Sequence, residues 1–380
     1  MTINRPGVAT SERMREFFGD LESCEDRSAG AHGLHPYPAK FIPHIPRMVL
    51  GELSRPGDLV VDPMCGSGTT LVEAAVAGRC AIGADINPIA TLISKAKTTI
   101  LSDHAQKHLD ELADLIEASP TRPAVVLPEF YNRRHWYDDD VSLAISYSLK
   151  LINDLDEPDA RTFARCALSA VLVTVSRQHS ETRWVRTGRM VTPAEVYARL
   201  ARRLRDNLAR ADRYAESARS PVAVTTADAR AMPVADSSVS LVMTSPPYAN
   251  SHDYYLYNKL RLFWLGYGVA PVQRAEFGSR NKHSDEKYPV KHYLASMSSV
   301  LRESARILRP DGHACLVVGD AVIRGEFFDM GQMLAPIAAA SGLRPWGHYS
   351  FPQKKFTRAF FAGFGTRQEK QTHVLIFGKP

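Results

Sequence analysis

The 380-residue chain is sparing with cysteine: five residues, at positions 24, 65, 80, 166 and 315, none of them in a Cys-x-x-Cys pair. An odd, scattered set argues against a disulfide framework and against a clustered zinc site. A cytoplasmic location is therefore expected, and no metal site. No run approaches the ~20 apolar residues needed to cross a bilayer. The opening MTINRPGVATSERMREFF has no apolar core for a secretion signal, so no membrane partner is expected. Internal repeats are also missing. The charge balance is only mildly one-sided, at +6, which permits a polyanionic partner without requiring one. With 44% hydrophobic and 23% charged residues, the composition is that of an ordinary globular protein able to bury a sizeable core.

What is present begins with HGLHPYPAKFIPHIPRMVL (32–50), where four prolines among histidines and aromatics leave no regular element until the end. DLVVDPMCGSGTTLVEAAVAGRCAIGADINPIA (58–90) then reads as strand, glycine turn, small-residue helix to Gly78, and a second strand ending at Asp85. That is a βαβ unit of the length a right-handed crossover needs. From about 101 to 219 the texture is helical. Thr192, Pro193 and Glu195 form a capping signal ahead of Val196, Leu200, Leu204 and Leu208. Between 177 and 213 ten arginines face four acidic residues, read as a solvated face with a phosphate-contacting surface as its alternative. Strand texture resumes at 221–230, 238–248, 313–320 and 372–380, with an aromatic, basic helix candidate at 252–267. The polar stretch 268–293 has no pattern of its own, and loops of that length are often lids or binding loops. Residues 353–377 read as a hairpin with a basic tip. The alternation predicts an α/β fold, a doubly wound Rossmann-like sheet with a helical insertion. The chain divides into a cofactor half (1–100), the insertion (101–219) and a catalytic half (220–380).

The chemistry concentrates at strand ends. Asp62, Gly66 and Gly68 form a turn through which backbone can approach a ligand closely. It lacks the Lys-Ser/Thr of a P-loop and the third glycine of the dinucleotide fingerprint. Asp62 can hold a cationic amine, Asp85 can meet the hydroxyls of a ribose, and Asp228 can accept from the exocyclic amine of an adenine. Amine, ribose and adenine together describe S-adenosylmethionine. Further along, TSPPYAN (244–250) follows the apolar strand VSLVM. Its two prolines hold the chain extended and remove two backbone donors, which fixes Ser245 and Tyr248 in direction.

DPMCGSGTT, an acidic strand end and TSPPY together resemble the amino-methylating DNA methyltransferases, which modify N4 of cytosine or N6 of adenine. HPYPAKFIPHIPR is similar to the N-terminal motif with which many of these enzymes complete the cofactor pocket, and FYNRRHWYDDD (130–140) to a stretch between the two halves in some members. The resemblance implies a class I methyltransferase sheet. It implies a cofactor site of Asp62, Met64, Cys65, Gly66, Ser67, Gly68 and Thr69, with Asp85, Ile86, Asp228, Ala229 and Ser245, approached by Tyr37 and Lys40. A packing role remains open for Met64 and Cys65, as does a loop role for His35, Tyr37 and Lys40. The catalytic set it implies is Ser245, Pro246, Pro247 and Tyr248.

An exocyclic amine is a weak nucleophile because its lone pair is delocalised into the ring. Acceptors at Ser245 Oγ and the Pro246 carbonyl would take its hydrogens and aim the freed pair at the methyl donor, while Tyr248 stacks on a flipped base. Serine in first place resembles the cytosine-N4 members. No Pro-Cys dipeptide occurs, which argues against the covalent C5 route. The expected partners are double-stranded DNA and a cognate restriction endonuclease. RNA guanine-N2 methyltransferases share the motifs but usually carry an RNA-binding domain ahead of the cofactor motif, where 61 residues stand here. A non-catalytic DNA-binding protein would have no use for the acceptor geometry. His252 is expected at the surface.

Overall fold

The computed structural model describes residues 8–19, 29–120, 124–353 and 369–380. Helix α1 (Val8–Gly19) is followed by a single 3-10 turn (Gly30–Gly33) and α2 (His44–Leu53), so the proline-broken stretch turns regular only at its end. Strand β1 (Leu59–Asp62), α3 (Thr69–Val76), β2 (Cys80–Asp85) and α4 (Pro88–Thr98) form the expected βαβ unit and its next helix. Then come α5 (Asp103–Glu117), α6 (Arg133–Trp136), α7 (Asp139–Asn153) and α8 (Pro158–Leu172). A small hairpin, β3 (Gln178–Ser180) with β4 (Arg183–Arg186), precedes α9 (Pro193–Ser217). The hairpin was not legible in a stretch whose pattern is helical. Thr192 caps α9 with Glu195 in a reciprocal capping box, and Val196, Leu200, Leu204 and Leu208 are buried on its inner face.

The second half alternates β5 (Val222–Thr226) and β6 (Val239–Thr244) with short helices α10 (Tyr254–Tyr257), α11 (Lys259–Trp264), α12 (Val269–Ala275) and α13 (Arg280–Ser284). The stretch 268–293, read as patternless, therefore carries two short helices and the first turn of α14 (Val290–Ile307). Strand β7 (Leu308–Gly319), the hairpin β8 (Ala321–Ile323) and β9 (Glu326–Phe328), α15 (Met330–Ala340), β10 (Arg344–Pro352) and β11 (Gln371–Gly378) complete the chain. The expected terminal hairpin has its first arm earlier than its pattern suggested, at β10, and its basic tip lies outside the described residues.

Seven strands form one sheet in the order β10-β11-β7-β6-β1-β2-β5. Six strands run in one direction, and β11 is antiparallel to both its neighbours. This is the doubly wound α/β sheet of class I methyltransferases, and its order reverses between β1 and β6. Strict alternation builds its two faces. Val60, Leu241, Met243, Cys315, Val317 and Ile376 pack with Ile45, Val49 and Leu71 of α2 and α3. Val61, Val242, Leu316 and Leu375 pack with Met297, Leu301 and Leu334 of α14 and α15. A third core joins α4 to α5, α7, α8, α9 and α11.

Three of the six arginines of α9 bond to other parts of the protein. Arg205 pairs with Asp114 and Glu117 of α5 at 2.7 and 2.8 Å. Arg210 donates to the Gly30 carbonyl, and Arg199 to Thr174 O and, within the helix, to Glu195. Arg202 lies 3.9 Å from Asp206 of the same helix.

Glu73 of α3 holds the N-terminal stretch against the sheet. Buried to 4% exposure, it accepts from Arg47 Nε and Nη2 at 3.0 and 3.1 Å and lies 2.9 Å from His32 Nε2. Burial pushes its carboxyl up, but the His32 and Arg47 hydrogen bonds outweigh it and leave the pKa below the ordinary value. This contribution is present above the unfolded-state pKa and is lost as pH falls through the folded one. Glu73→Ala removes the buried acceptor that Arg47 and His32 share and is expected to lower the unfolding free energy by about 3 kcal/mol in urea titrations. Glu73→Gln should lose less, and a loss below about 1 kcal/mol for the alanine variant would refute the clamp.

Candidate active site

The reversal of strand order places the ends of β1 and β6 side by side, with Val60 opposite Leu241 and Val61 opposite Val242. The Asp62 carboxylate stands near the Thr244 and Thr70 hydroxyls; the residue is 3% exposed, and Oδ1 accepts from the Met64 amide at 3.2 Å. Burial pushes its pKa up to about 6, opposed by these neighbouring hydroxyls and the Met64 amide, with the charge of Asp85 adding to the rise. Asp85, at the end of β2, is likewise pushed up to about 6 by burial. It accepts from Gly66 N at 2.9 Å and Asn87 N at 2.8 Å.

Between these carboxylates runs the glycine turn. Gly68 has φ +76°, and a Cβ there would stand 2.8 Å from Ser94 Oγ and 3.1 Å from Ser94 Cα, so only glycine fits. Ser94 of α4 supports the turn from behind, donating to Gly66 O at 2.9 Å. Cys65 is buried against it, with Sγ 3.6 Å from Ser94 Oγ, a packing position; Met64 is half-buried. Ser67 and Thr69 are buried where α3 begins, and Ile86 stands exposed beyond Asp85.

Tyr37 covers the turn from the other side. Its Cε1 is 3.5 Å from the point a Gly66 Cβ would occupy, and its ring stacks on Tyr254 of α10 at 5.9 Å and 18°. Burial raises both phenols, and the charge of Asp85 adds to each. Lys40 and His35 face elsewhere. Lys40 Nζ donates to the His32 carbonyl at 3.0 Å, and His35 is buried with Nε2 3.0 Å from Ser169 Oγ. Asp228 follows β5 next to buried Ala229, and its carboxylate is gripped by Arg230 at 2.8 and 2.6 Å. That pairing holds its pKa below the ordinary value.

At the end of β6, Ser245 Oγ donates to the Val317 carbonyl at 3.1 Å. A hydroxyl has a single hydrogen, so what remains on this oxygen is acceptor capacity. Tyr248 lies close against β7, its Cε2 2.6 Å from where a Gly319 Cβ would stand. Burial raises its pKa, and the Ser245 and Thr372 hydroxyls, in hydrogen-bonding reach, oppose the rise. Asn250, in the left-handed region at φ +57°, closes the turn through Nδ2 to Val322 O at 2.6 Å. His252, expected at the surface, is half-buried between Tyr254 and Tyr257.

Sequence reasoning missed a clasp around this loop. Glu276 accepts from the Tyr254 and Tyr255 amides at 2.8 and 3.2 Å. Asp253 Oδ1 accepts from Ser279 Oγ and Asn281 N at 2.5 and 2.9 Å. Between them Gly278 lies against Pro247, whose Cβ and carbonyl oxygen would be 2.7 and 2.9 Å from an added Cβ. The only signal in the sequence is the length of the 268–293 stretch.

The DNA methylase family profile matches residues 10–95. A Type II methyltransferase of Methanocaldococcus jannaschii, M.MjaII, is 44% identical over 78 residues, 20% of this chain and 15% of that protein. Another, M.MvaI of Kocuria varians, is 24% identical over 355 residues, 77% of each chain. Among solved structures, an S-adenosylmethionine-dependent methyltransferase of Methanosarcina mazei is 10% identical, with 91% of this chain and 98% of that one covered at a TM-score of 0.36. That likeness is too distant to add to what the strand order shows.

S-adenosylmethionine fits these residues. Asp62 is a buried carboxylate and Asp85 a half-buried one, both bonded to backbone amides, and a cation between them would relieve both. Only the ionised carboxylate attracts that cation, so cofactor affinity is expected to fall as pH drops through about 6 and to level off above it. Calorimetry between pH 5 and pH 8 reads this. Asp62→Asn should bind weakly throughout with a flatter profile, and a wild-type affinity indifferent to pH would refute the charge pairing. Gly278→Ala must displace Pro247, so turnover should drop about tenfold to a hundredfold with cofactor affinity unchanged; equal rates in the two proteins would dismiss the clasp. The family profile, the Type II relatives and the strand-end site converge: this chain is similar to the DNA methylase family over residues 10–95 and to Type II methyltransferases over a longer stretch at lower identity.

Proposed function

We propose that the protein transfers a methyl group to the exocyclic N4 amine of cytosine in duplex DNA. The observation that carries this reading is Ser245, whose hydroxyl proton is committed to Val317 O. Its remaining lone pairs are acceptor capacity just past the end of β6, the strand beside β1 and its terminal Asp62. S-adenosylmethionine, when bound, supplies an electrophilic methyl on a sulfonium sulfur. Asp62 and Asp85 hold the cationic ligand through charge and hydrogen bonding, and Tyr37 with Tyr254 shields their side of the turn from water. Ser245 Oγ accepts a hydrogen from the target amine, which draws its lone pair out of conjugation. The amine nitrogen would gain the methyl as the methyl–sulfur bond breaks, the neutral thioether would leave, and the nitrogen's surplus proton would pass to solvent. The prolines keep the acceptor still, so the contribution is positioning and electrostatics.

Serine at the head of Ser-Pro-Pro-Tyr favours cytosine N4 over adenine N6, by resemblance. An amine inside a duplex is out of reach, so the base is flipped. Asp228 accepts from the cofactor adenine with the capacity that Arg230 leaves. Residues 101–219 act as the DNA-contacting insertion between cofactor and catalytic halves. DNA as substrate implies a nucleoid location in the cytoplasm; no helix among the described residues is long and apolar enough to cross a membrane. A cognate restriction endonuclease is the implied partner, and protection of plasmid DNA from it reports that role.

Incubation with tritiated cofactor and separate DNA and RNA, followed by digestion to nucleosides, is expected to place label on N4-methylcytosine of DNA. Label on N6-methyladenine would move the target to adenine, and label in RNA alone would overturn the reading. Ser245→Ala should lower turnover about a hundredfold or more while cofactor affinity stays within about threefold; parallel loss of both would count against the acceptor role.

A further inference from the structure

Beside the catalytic loop lies a pocket of about 180 Å³ walled by Tyr131, Trp136, Trp184, Phe263, Arg186 and Lys259. It joins three pieces of chain: the start of α6, the β3–β4 hairpin and α11. Its rings are already ordered. Trp184 packs on buried Trp136 at 4.5 Å between centroids, and Phe263 stacks on Phe130 at 4.9 Å and 14°. Tyr131 stands 73% exposed at the edge, a large apolar ring in water with nothing stacked on it among the described residues.

The pocket's cations are placed for an anion. Lys259 Nζ sits 5.5 Å from the Trp184 centroid and 5.9 Å from that of Phe263. Among the described residues no carboxylate pairs with it, so its ammonium is held by ring faces alone. Arg186 donates only Nε, to the His135 carbonyl at 3.1 Å, and is exposed, as is Arg183 across the strand. The aspartates nearby do not neutralise this charge: Asp138 is bound by Arg177 at 2.6 Å, and Asp139 by Arg133 and Arg134 at 3.0 and 3.3 Å. A ligand matching both features has a planar ring and an attached anion, which is a nucleotide. Strand β4 packs against α10, the helix that follows the Ser245–Asn250 turn, so a polynucleotide at one site passes close to the other.

We propose that this pocket binds a second nucleotide of the DNA, apart from the target base at Ser245. Its base lies against Tyr131 and Trp184, and its phosphate meets Lys259 and Arg186. The assignment rests on DNA being the substrate and adds a contact that grips the strand away from the reacting base.

The test measures binding of sheared genomic DNA to the intact protein saturated with S-adenosylhomocysteine, over a range of salt. Tyr131→Ala and Trp184→Ala are each expected to weaken binding about fivefold or more, and Trp184→Phe to restore most of it. Lys259→Ala should lower the salt slope by about one, whereas the Trp184 variants leave the slope alone. Unchanged cofactor affinity in each variant shows that it is folded, and Tyr131, being exposed, gives a variant whose folding is not at risk. Methylation of the same DNA by the wild type is scored alongside. Wild-type methylation with unaltered affinity in Tyr131→Ala and Lys259→Ala overturns the pocket alone. Failure of the wild type to methylate DNA overturns the substrate reading and the pocket with it.

Discussion

The parallel register of β1 against β6 is the constraint on which the rest depends. Each strand is a short apolar run that packs on both faces, so neither can slip by a residue without exchanging one core for the other. Fixed register sets the end of β1 beside the end of β6, and with it Asp62 of one half beside the segment that leads into Ser245 of the other. The two sites are 183 positions apart in the chain (245 − 62), yet their separation in space is set by one pair of neighbouring strands.

Around that junction the protein supplies rigidity from outside the sheet. Tyr37 comes from the proline-broken segment that Glu73 clamps, and it meets Tyr254 from beyond the catalytic loop. Glu276 and Asp253 fasten the following stretch to the same loop through carboxyl acceptors. Buried carboxylates bonded to backbone amides hold geometry well, because releasing them leaves donors without water. Asp320 does the same behind Tyr248, accepting from Gln371 N and lying 2.8 Å from His373 Nε2.

Much of this was readable before any coordinates. The βαβ unit, the glycine turn and the acidic strand ends announce themselves because strand, turn and helix follow within a few residues, where pattern reflects local physics. The capping box at Thr192 is legible for the same reason. The Glu276 clasp was not, since it joins residues more than twenty positions apart and each is individually an ordinary surface-type side chain. Strand β10 escaped notice because its edge position lets polar and aromatic residues mix. The arginines of α9 read as a basic face, but the partners of Arg205 lie on α5, about ninety positions away. Composition reports charge and cannot report pairing.

The burial of Asp62 and Asp85 has a consequence for the evolution of this protein. Two acids forced to ionise in a dry site make the ligand-free fold less stable than it need be, each by on the order of 3 kcal/mol for a carboxyl raised to about 6. Selection for thermal robustness alone would replace them with amides or apolar residues. Their persistence would then be a signature that the resident ligand matters more than the resting fold. Drift toward neutral side chains in a duplicated copy would mark the point at which that copy ceased to be an enzyme.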